Sequence, residues 1–329
     1  MRLIVVRRKA ELSVRSRATL QIKMKDKTVE RPLRDVEAVL IIGGHVRIKS
    51  TVPPVLAQHN IPLAVLAMDN IAILVNPVTT SYNNYRRLQY TLDKQHALDI
   101  ALEYIKAKVN GLASIIKNAT GKAPQLPSPP RKISDPGKYE EEIRKWEATA
   151  SNTLWDHLVQ LIDNEILETL RDKYGFRGRK PRHPDPFNKT LSIMYAVIYS
   201  LATKALIAAG LDPTYGFLHK TKYSTPLTFD YTEMFKPVAV QATIDLINSE
   251  GLPPIESDGE LGREAVNKAI KQLYQYLELK HTKTGKTIYQ YIIIKAYCLA
   301  KHLERKCSKN KLTITWDKKN YKQPRYNES

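Results

Sequence analysis

The run Asp185–Pro237, DPFNKTLSIMYAVIYSLATKALIAAGLDPTYGFLHKTKYSTPLTFDYTEMFKP, decides how the whole chain is read. Pro184 and Pro186 lead into a helix pattern over Asn188–Ala209. Its apolar residues, among them Leu191, Met194, Val197, Ile198, Leu201 and Leu206, run almost all round, which predicts a buried helix. Gly210 suits the position just past a helix end. A turn then leads to His219, and Asp230 and Glu233 come after it. Leu227–Phe229 reads as extended, entering a helix on which the two acids, three residues apart, share a face.

Outward from this stretch the hydrophobic period changes along the chain. Residues 1–80 read as β-rich. Short apolar runs at Leu3–Val6, Ala18–Met24, Val36–Ile42, Val46–Ile48, Ile61–Met68 and Ile71–Val75 predict strands, separated by turn signals at Gly43-Gly44, Pro53-Pro54 and Asn76-Pro77. Thr51–Asn60 predicts a short helix. From Asn83 to Asn118, apolar residues at helical spacing predict one long helix or two in sequence. Residues 119–137 hold five prolines and predict an exposed, mobile insertion. Helical spacing resumes over Lys138–Glu168, and further helices are expected over 237–248, 262–280 and 287–306. The tail, 307–329, is polar and basic and predicts fraying. The fold class is therefore α+β, a β-rich domain over 1–80 followed by a larger all-α domain over 81–329.

Charge narrows the function. The chain carries 52 basic and 33 acidic residues, a net +19, and a field of that sign draws in polyanions. The segment 171–182 is densely basic. Arg177, Arg179 and Lys180 there, with Arg86, Arg87, Lys220 and Lys236, are candidate phosphate contacts. Along 83–118 the ordinary meaning of Arg86, Arg87, Lys94, Lys106 and Lys108 is a solvated helix face. No membrane span is expected: the most apolar run, Ile61–Val75, is cut by Asp69 and Asn70 and falls short of the roughly 20 residues a bilayer needs. No signal peptide is visible, and Cys298 and Cys307 fit a reducing compartment without forming a metal motif. Together these predict a cytosolic protein. His45 and His59 lack acidic neighbours at ligand spacing and read as structural. Gly285-Lys286-Thr287 imitates the end of a phosphate-binding loop, but Lys280 stands where the first glycine belongs.

His219, Asp230 and Glu233 are a plausible ligand set. One histidine nitrogen with carboxylate oxygens suits Mg2+ or Mn2+, and suits zinc less, since no thiolate and no second histidine at helical spacing accompanies them. Spacing alone leaves the plainer reading open: a histidine bonded within its own turn, and two acids favoured at a helix N-terminus.

The motifs of the opening stretch resemble those of the CRISPR-associated adaptation integrase, the metal-dependent DNA endonuclease of the Cas one family. The resemblance rests on Asp185-Pro186-Phe187-Asn188, on Gly210-Leu211-Asp212-Pro213 followed by Gly216-Phe217-Leu218-His219, and on Leu227, Asp230, Glu233, Phe235, Lys236 and Pro237. Arg86 to Gln89 resembles the family's Arg-x-x-Gln helix start. The resemblance implies a third ligand from an earlier helix, for which Glu147, followed by small residues and Trp155, matches best, with Glu141 and Glu142 as neighbouring competitors. Glu147, His219 and Glu233 would hold Mg2+ or Mn2+, and Asp230 would support them. It further implies insertion of new spacers into CRISPR arrays by transesterification without ATP, acting on double-stranded DNA (protospacer and CRISPR repeat). The implied partners are a second copy, through the β-rich domain, and a small ferredoxin-like adaptation protein of the Cas two family, in a prokaryotic cytoplasm. Lys236 departs from the family's arginine, Tyr231 from its leucine, and no acid lies between Val238 and Gln241. The alternatives are a branched-DNA nuclease or transposon-type integrase on the same fold, and a non-catalytic basic nucleic-acid-binding protein.

Overall fold

The structure is a computed structural model that describes residues 3–7, 9–43, 45–67, 70–74, 83–220 and 224–324. Gly44, Asp69, the Asn76-Pro77 turn signal and residues 221–223 lie outside the described residues. The N-terminal part comprises β1 (Leu3–Arg7), β2 (Glu11–Arg15), β3 (Thr19–Lys23), β4 (Thr28–Pro32), β5 (Ala38–Ile42), β6 (Arg47–Ile48), α1 (Val52–Gln58), β7 (Leu63–Ala67) and β8 (Asn70–Leu74). They make two four-stranded sheets, ordered β1-β5-β7-β8 and β4-β3-β2-β6.

Strand β5 is the hinge of the packing. It runs parallel to β1 and β7, with Ile4 opposite Val39 and Val39 opposite Leu63, and all five of its residues are buried. Successive strand side chains point to opposite faces. Val39 and Ile41 join Leu12, Leu20 and Leu33 in a core between the sheets, while Leu40 and Ile42 join the helical core. Strands β2 and β4 lie where no apolar run predicts them. Strand β4, TVERP, is a largely exposed edge strand, and polar side chains with a terminal proline are the usual protection of such an edge.

The helical part comprises α2 (Asn83–Tyr90), α3 (Lys94–Thr120), α4 (Pro136–Leu158), α5 (Asn164–Tyr174), α6 (Pro186–Ala208), α7 (Pro226–Thr232), α8 (Lys236–Glu250), α9 (Arg263–Leu277) and α10 (Ile288–Leu303). A short β9 (Lys280–His281) pairs with β10 (Tyr321–Lys322). The long pattern from Asn83 is two helices, because Asp93 caps α3 by accepting from the His96 amide. The expected 138–168 helix breaks after Leu158, where the Asn248 side chain donates to Leu161 O and accepts from the Asp163 amide. Helix α6 is the central column. Asp185 caps it, and it meets β5, β7, α7, α8, α9 and α10. It is long and apolar enough to cross a membrane, yet 83% of that window is buried inside the protein, as in a core helix.

One expectation is corrected and two are refined. The proline-rich 119–137 segment is largely the exposed loop expected, and it is held at several points: Trp146 Nε1 donates to Pro127 O at 2.8 Å, Gln95 Nε2 to Ile133 O at 3.0 Å, and Leu126 and Ile133 pack on the core. The tail does not fray through residue 324, because Leu312, Ile314, Trp316 and Tyr321 are buried. Cys298 and Cys307 are joined in a disulfide that closes the turn after α10.

Candidate metal centre

The histidine is aimed by its turn. Buried Gln89 on α2 donates to Asp212 O at 2.9 Å and Tyr215 O at 2.7 Å, and accepts from the Asp212 amide at 2.9 Å. Gly216 lets the turn close tightly: a Cβ there would lie 2.6 Å from Pro226 Cβ and 2.8 Å from His219 O. Buried Asp230 then accepts from the amides of Phe217 (2.6 Å), Leu218 (3.0 Å) and His219 (3.0 Å), and its Oδ1 lies 2.6 Å from His219 Nδ1. With Nδ1 on this carboxylate, Nε2 is the ring nitrogen on the far side. A second carboxylate that orients a histidine in this way is typical of metal-bound imidazoles.

Leu227–Phe229 is not extended. It lies inside α7, which Pro226 opens. Past Thr232 the backbone stays helical, tightening into a 3-10 turn over Glu233–Phe235 before α8. Their partners give the two acids separate tasks. Asp230 holds the turn, and Glu233 faces two ammoniums, with Lys236 Nζ 2.5 Å from Oε1 and Lys108 Nζ 2.9 Å from Oε2.

Lys108 is the residue sequence reasoning missed. It is buried, not on a solvated face, and it also donates to Glu147 Oε1. Helices α3 and α4 pack side by side, which brings Glu147 of α4 and Glu233 to the same ammonium. The signal was present: Lys108 interrupts the apolar stripe of Tyr104, Ile105, Val109 and Leu112. Of the competitors to Glu147, Glu141 and Glu142 are exposed. Burial alone would raise the Glu233 carboxyl, but Lys108, Lys236 and His219 hold it below the ordinary carboxylate range. Burial likewise opposes the charge on Lys108 and Lys236, and Glu233, with Glu147 at Lys108, outweighs it, raising both ammoniums. Glu233, Lys108 and Lys236 are therefore charged at neutral pH.

Among the described residues no three His, Cys, Asp or Glu side chains form a ready-made metal cage. The donor set fits a hard divalent cation nonetheless. Two carboxylates already grip one positive centre, and the buried Oε2 of Glu233 makes no hydrogen bond, because Lys108 approaches it as an ion pair without hydrogen-bond alignment.

Lys108, His219 and Lys236 line a cleft of about 970 Å³ together with Arg179 and Arg182, with Trp155, Tyr195, Tyr199 and Phe229 between them. Arg179 is held by Asn188 Oδ1 at 2.9 Å and lies 5.4 Å above the Tyr195 ring. Of the predicted phosphate contacts, Arg179 and Lys236 line the cleft. Arg177 and Lys180 are exposed on the loop that carries Arg179. Lys220 is paired with Glu140 at 3.0 Å. Arg86 and Arg87 do not line the cleft; Arg87 bonds Asn84, and Nε and Nη2 of Arg86 are buried without a hydrogen bond.

The sequence profile described as CRISPR associated protein Cas1 matches residues 3–278. The chain belongs to the Cas1 family. It is 26% identical over 306 residues to CRISPR-associated endonuclease Cas1 3 of Thermus thermophilus, covering 84% of this chain and 85% of that one. It is 43% identical over 101 residues to CRISPR-associated endonuclease Cas1 of Hyperthermus butylicus, a match that spans 30% of this chain and only 28% of that relative's length. Among solved structures, a Cas1 protein from Thermotoga maritima superposes with a TM-score of 0.74 at 17% identity, over 92% of this chain and 97% of that one. A casposase bound to integration product superposes equally well, with a TM-score of 0.74 at 19% identity over 100% and 96%. A chain of a Cas6-RT-Cas1–Cas2 complex gives 0.74 at 17%, over 96% of this chain and 36% of that one. At these identities the superpositions establish a shared α+β fold.

Proposed function

We propose that this Cas1-family chain is a divalent-metal-dependent DNA endonuclease and integrase that inserts new spacers into CRISPR arrays by transesterification. The observation that carries the reading is that one ammonium, Lys108, joins Glu147 to Glu233, while the Asp230-oriented His219 acts electrostatically on Glu233 and lines the same basic cleft as Lys108. Glu147, Glu233 and the Nε2 of His219 would hold Mg2+ or Mn2+. A cation there supplies charge that offsets the build-up on a phosphoryl group. Asp230 fixes the imidazole, and Lys236 adds positive charge beside it. Arg179 and Arg182 meet the backbone phosphates, and the aromatic residues between them offer stacking surfaces.

The reaction balances within the DNA. A captured 3′-hydroxyl oxygen bonds to phosphorus as the bond from phosphorus to a 3′-oxygen of the repeat breaks, and the leaving oxygen takes up a proton. One phosphodiester replaces another, so no ATP is consumed. Consistent with this, Gly285-Lys286-Thr287 serves as a turn and helix cap, with Thr287 capping α10. The expected assembly is a homodimer through the β-rich part, joined by the small ferredoxin-like Cas2 partner on double-stranded DNA in a prokaryotic cytoplasm. Structurally related proteins have been solved as a Cas1–DNA complex and within a Cas1–Cas2 complex, which supports DNA and Cas2 as partners.

A branched DNA mimicking the integration product, incubated with and without Mn2+, tests the reading. Strand transfer that needs Mn2+ and vanishes in His219→Ala and Glu147→Ala is expected. Equal transfer by wild type and His219→Ala sinks the site. A preference for CRISPR-repeat ends over unrelated branches separates spacer integration from a general branched-DNA nuclease or a transposon-type integrase.

A further inference from the structure

We infer that Lys108 is a resident counter-ion that occupies the cation seat between Glu147 and Glu233 in the metal-free protein and must leave it for a divalent cation to enter. This rests on the metal-centre reading above and adds a competitor to it.

Burying a lysine is unfavourable unless its charge is matched, and Lys108 is only 8% exposed. Its ammonium is matched by both candidate carboxylates at once, Glu147 Oε1 and, at 2.9 Å, Glu233 Oε2. The match is electrostatic and incomplete, since Glu233 Oε2 accepts no hydrogen bond. A lysine ammonium offers three donors in a tetrahedral arrangement, whereas Mg2+ gathers oxygens octahedrally. The seat is therefore charged for a cation but only partly filled by this one.

Charge counting favours exchange over addition. Glu147 and Glu233 carry two negative charges, and Lys108 and Lys236 two positive ones. A divalent cation added with all four in place would leave a net excess of two positive charges beside Lys108. Of the two carboxylates Lys236 contacts Glu233 alone, at 2.5 Å, so only Lys108 stands between them. Lys108 has an exit, since, like Lys236, it lines the open cleft beside His219. Swung outward, its ammonium would stand where a phosphodiester approaches.

The test measures Mn2+ binding to DNA-free protein by electron paramagnetic resonance, for wild type, Lys108→Met, Lys108→Arg and Glu233→Gln. Lys108→Met is expected to bind Mn2+ about tenfold or more tighter than wild type, given the size of coupling between close charge pairs. Lys108→Arg, which keeps the charge in the seat, is expected to bind no tighter than wild type. Because Lys108→Met leaves two carboxylates facing one another and can fail to fold, a second measurement uses the wild type alone. Amine acetylation read by mass spectrometry should rise at Lys108 when Mn2+ replaces EDTA. Unchanged Lys108 acetylation in Mn2+-bound wild type, or a folded Lys108→Met with wild-type or weaker affinity, overturns the proposal. Loss of Mn2+ binding in Glu233→Gln alongside either result leaves the metal centre standing without Lys108 as its competitor. Absence of a bound Mn2+ in wild type and Lys108→Met alike overturns both.

Discussion

Glu140 and Glu147 lie seven residues apart on α4, close to one helix face, and both are paired with basic side chains. The resemblance ends there. Glu140 takes Lys94 at 3.2 Å, Lys220 at 3.0 Å and Arg144 at 3.0 Å, whose side chains are 53%, 70% and 44% exposed. Arg144 also donates to Leu218 O at 2.6 Å. The outer cluster is thus a clasp: it joins the start of α3, α4 and the histidine-bearing turn at the edge of water. The inner cluster balances two acids with two ammoniums, and the Lys108 and Glu233 side chains are 10% and 3% exposed. Similar side chains give a screened clasp in one place and a strongly coupled centre in the other, because the local dielectric sets the strength of each pair.

Substitutions press on that difference, in falling order of effect. Glu147→Ala and His219→Ala should each lower Mn2+-dependent strand transfer by more than about 100-fold, exceeding the usual cost of losing a residue that merely orients a ligand. Glu140→Ala, two turns away, should keep most of the activity; comparable losses at Glu140 and Glu147 would erase the distinction. Asp230→Asn should cost about 10- to 100-fold in transfer, with Mn2+ affinity falling in parallel, since it acts through His219. Gly216→Ala should destabilise the fold by about 1–3 kcal/mol, the range for overpacking, read as a lower urea midpoint, and it should reduce transfer by displacing the turn from Pro226. Glu140→Gln should be mildest, about 1 kcal/mol for a partly solvated cluster. Burial would raise the Glu140 carboxyl, but Lys220, Lys94 and Arg144 hold it down, from 4.5 to about 2. A depressed carboxyl fixes the sign: the stabilisation is fully present above pH 4.5 and is lost as the pH falls toward 2. Denaturation midpoints across that window should fall less steeply in Glu140→Gln than in wild type.

The features legible in the sequence were those with a strong local signature. Helix α6 declared itself by being apolar all round, and the strands β1, β3, β5 and β7 by short apolar runs. Strand β4 was silent because an exposed edge is protected by polar residues, which mimic a loop, and the inner strand β2 because only Leu12 and Val14 of its ELSVR run are apolar. Helix α7 was misread because Leu227, Thr228 and Phe229 have strand preferences, although Pro226 marks a helix start. Residues 119–137 and 307–324 were judged by polar bulk, whereas the partly buried Leu126 and Ile133 and the buried Trp316 anchor them on the core. At the candidate centre, His219, Asp230 and Glu233 were visible as a pattern. Their division of labour was not, because it depends on partners distant in sequence, the Phe217–His219 amides for Asp230 and Lys108 for Glu233. Lys108 was hidden for the opposite reason: lysine is so seldom buried that its place on an apolar stripe was discounted.

Strand β5 has a consequence for anyone who would take this molecule apart. Its odd residues belong to one core and its even residues to the other, so it has no solvent side along which to cut. Near residue 80 the secondary structure changes, but the packing does not stop. A chain begun at residue 81 would bare the side of α6 that meets β5 and β7, a contiguous apolar patch of the kind that drives aggregation. In protein-engineering terms, the β-rich part is an inner wall of the helical core and not a detachable module.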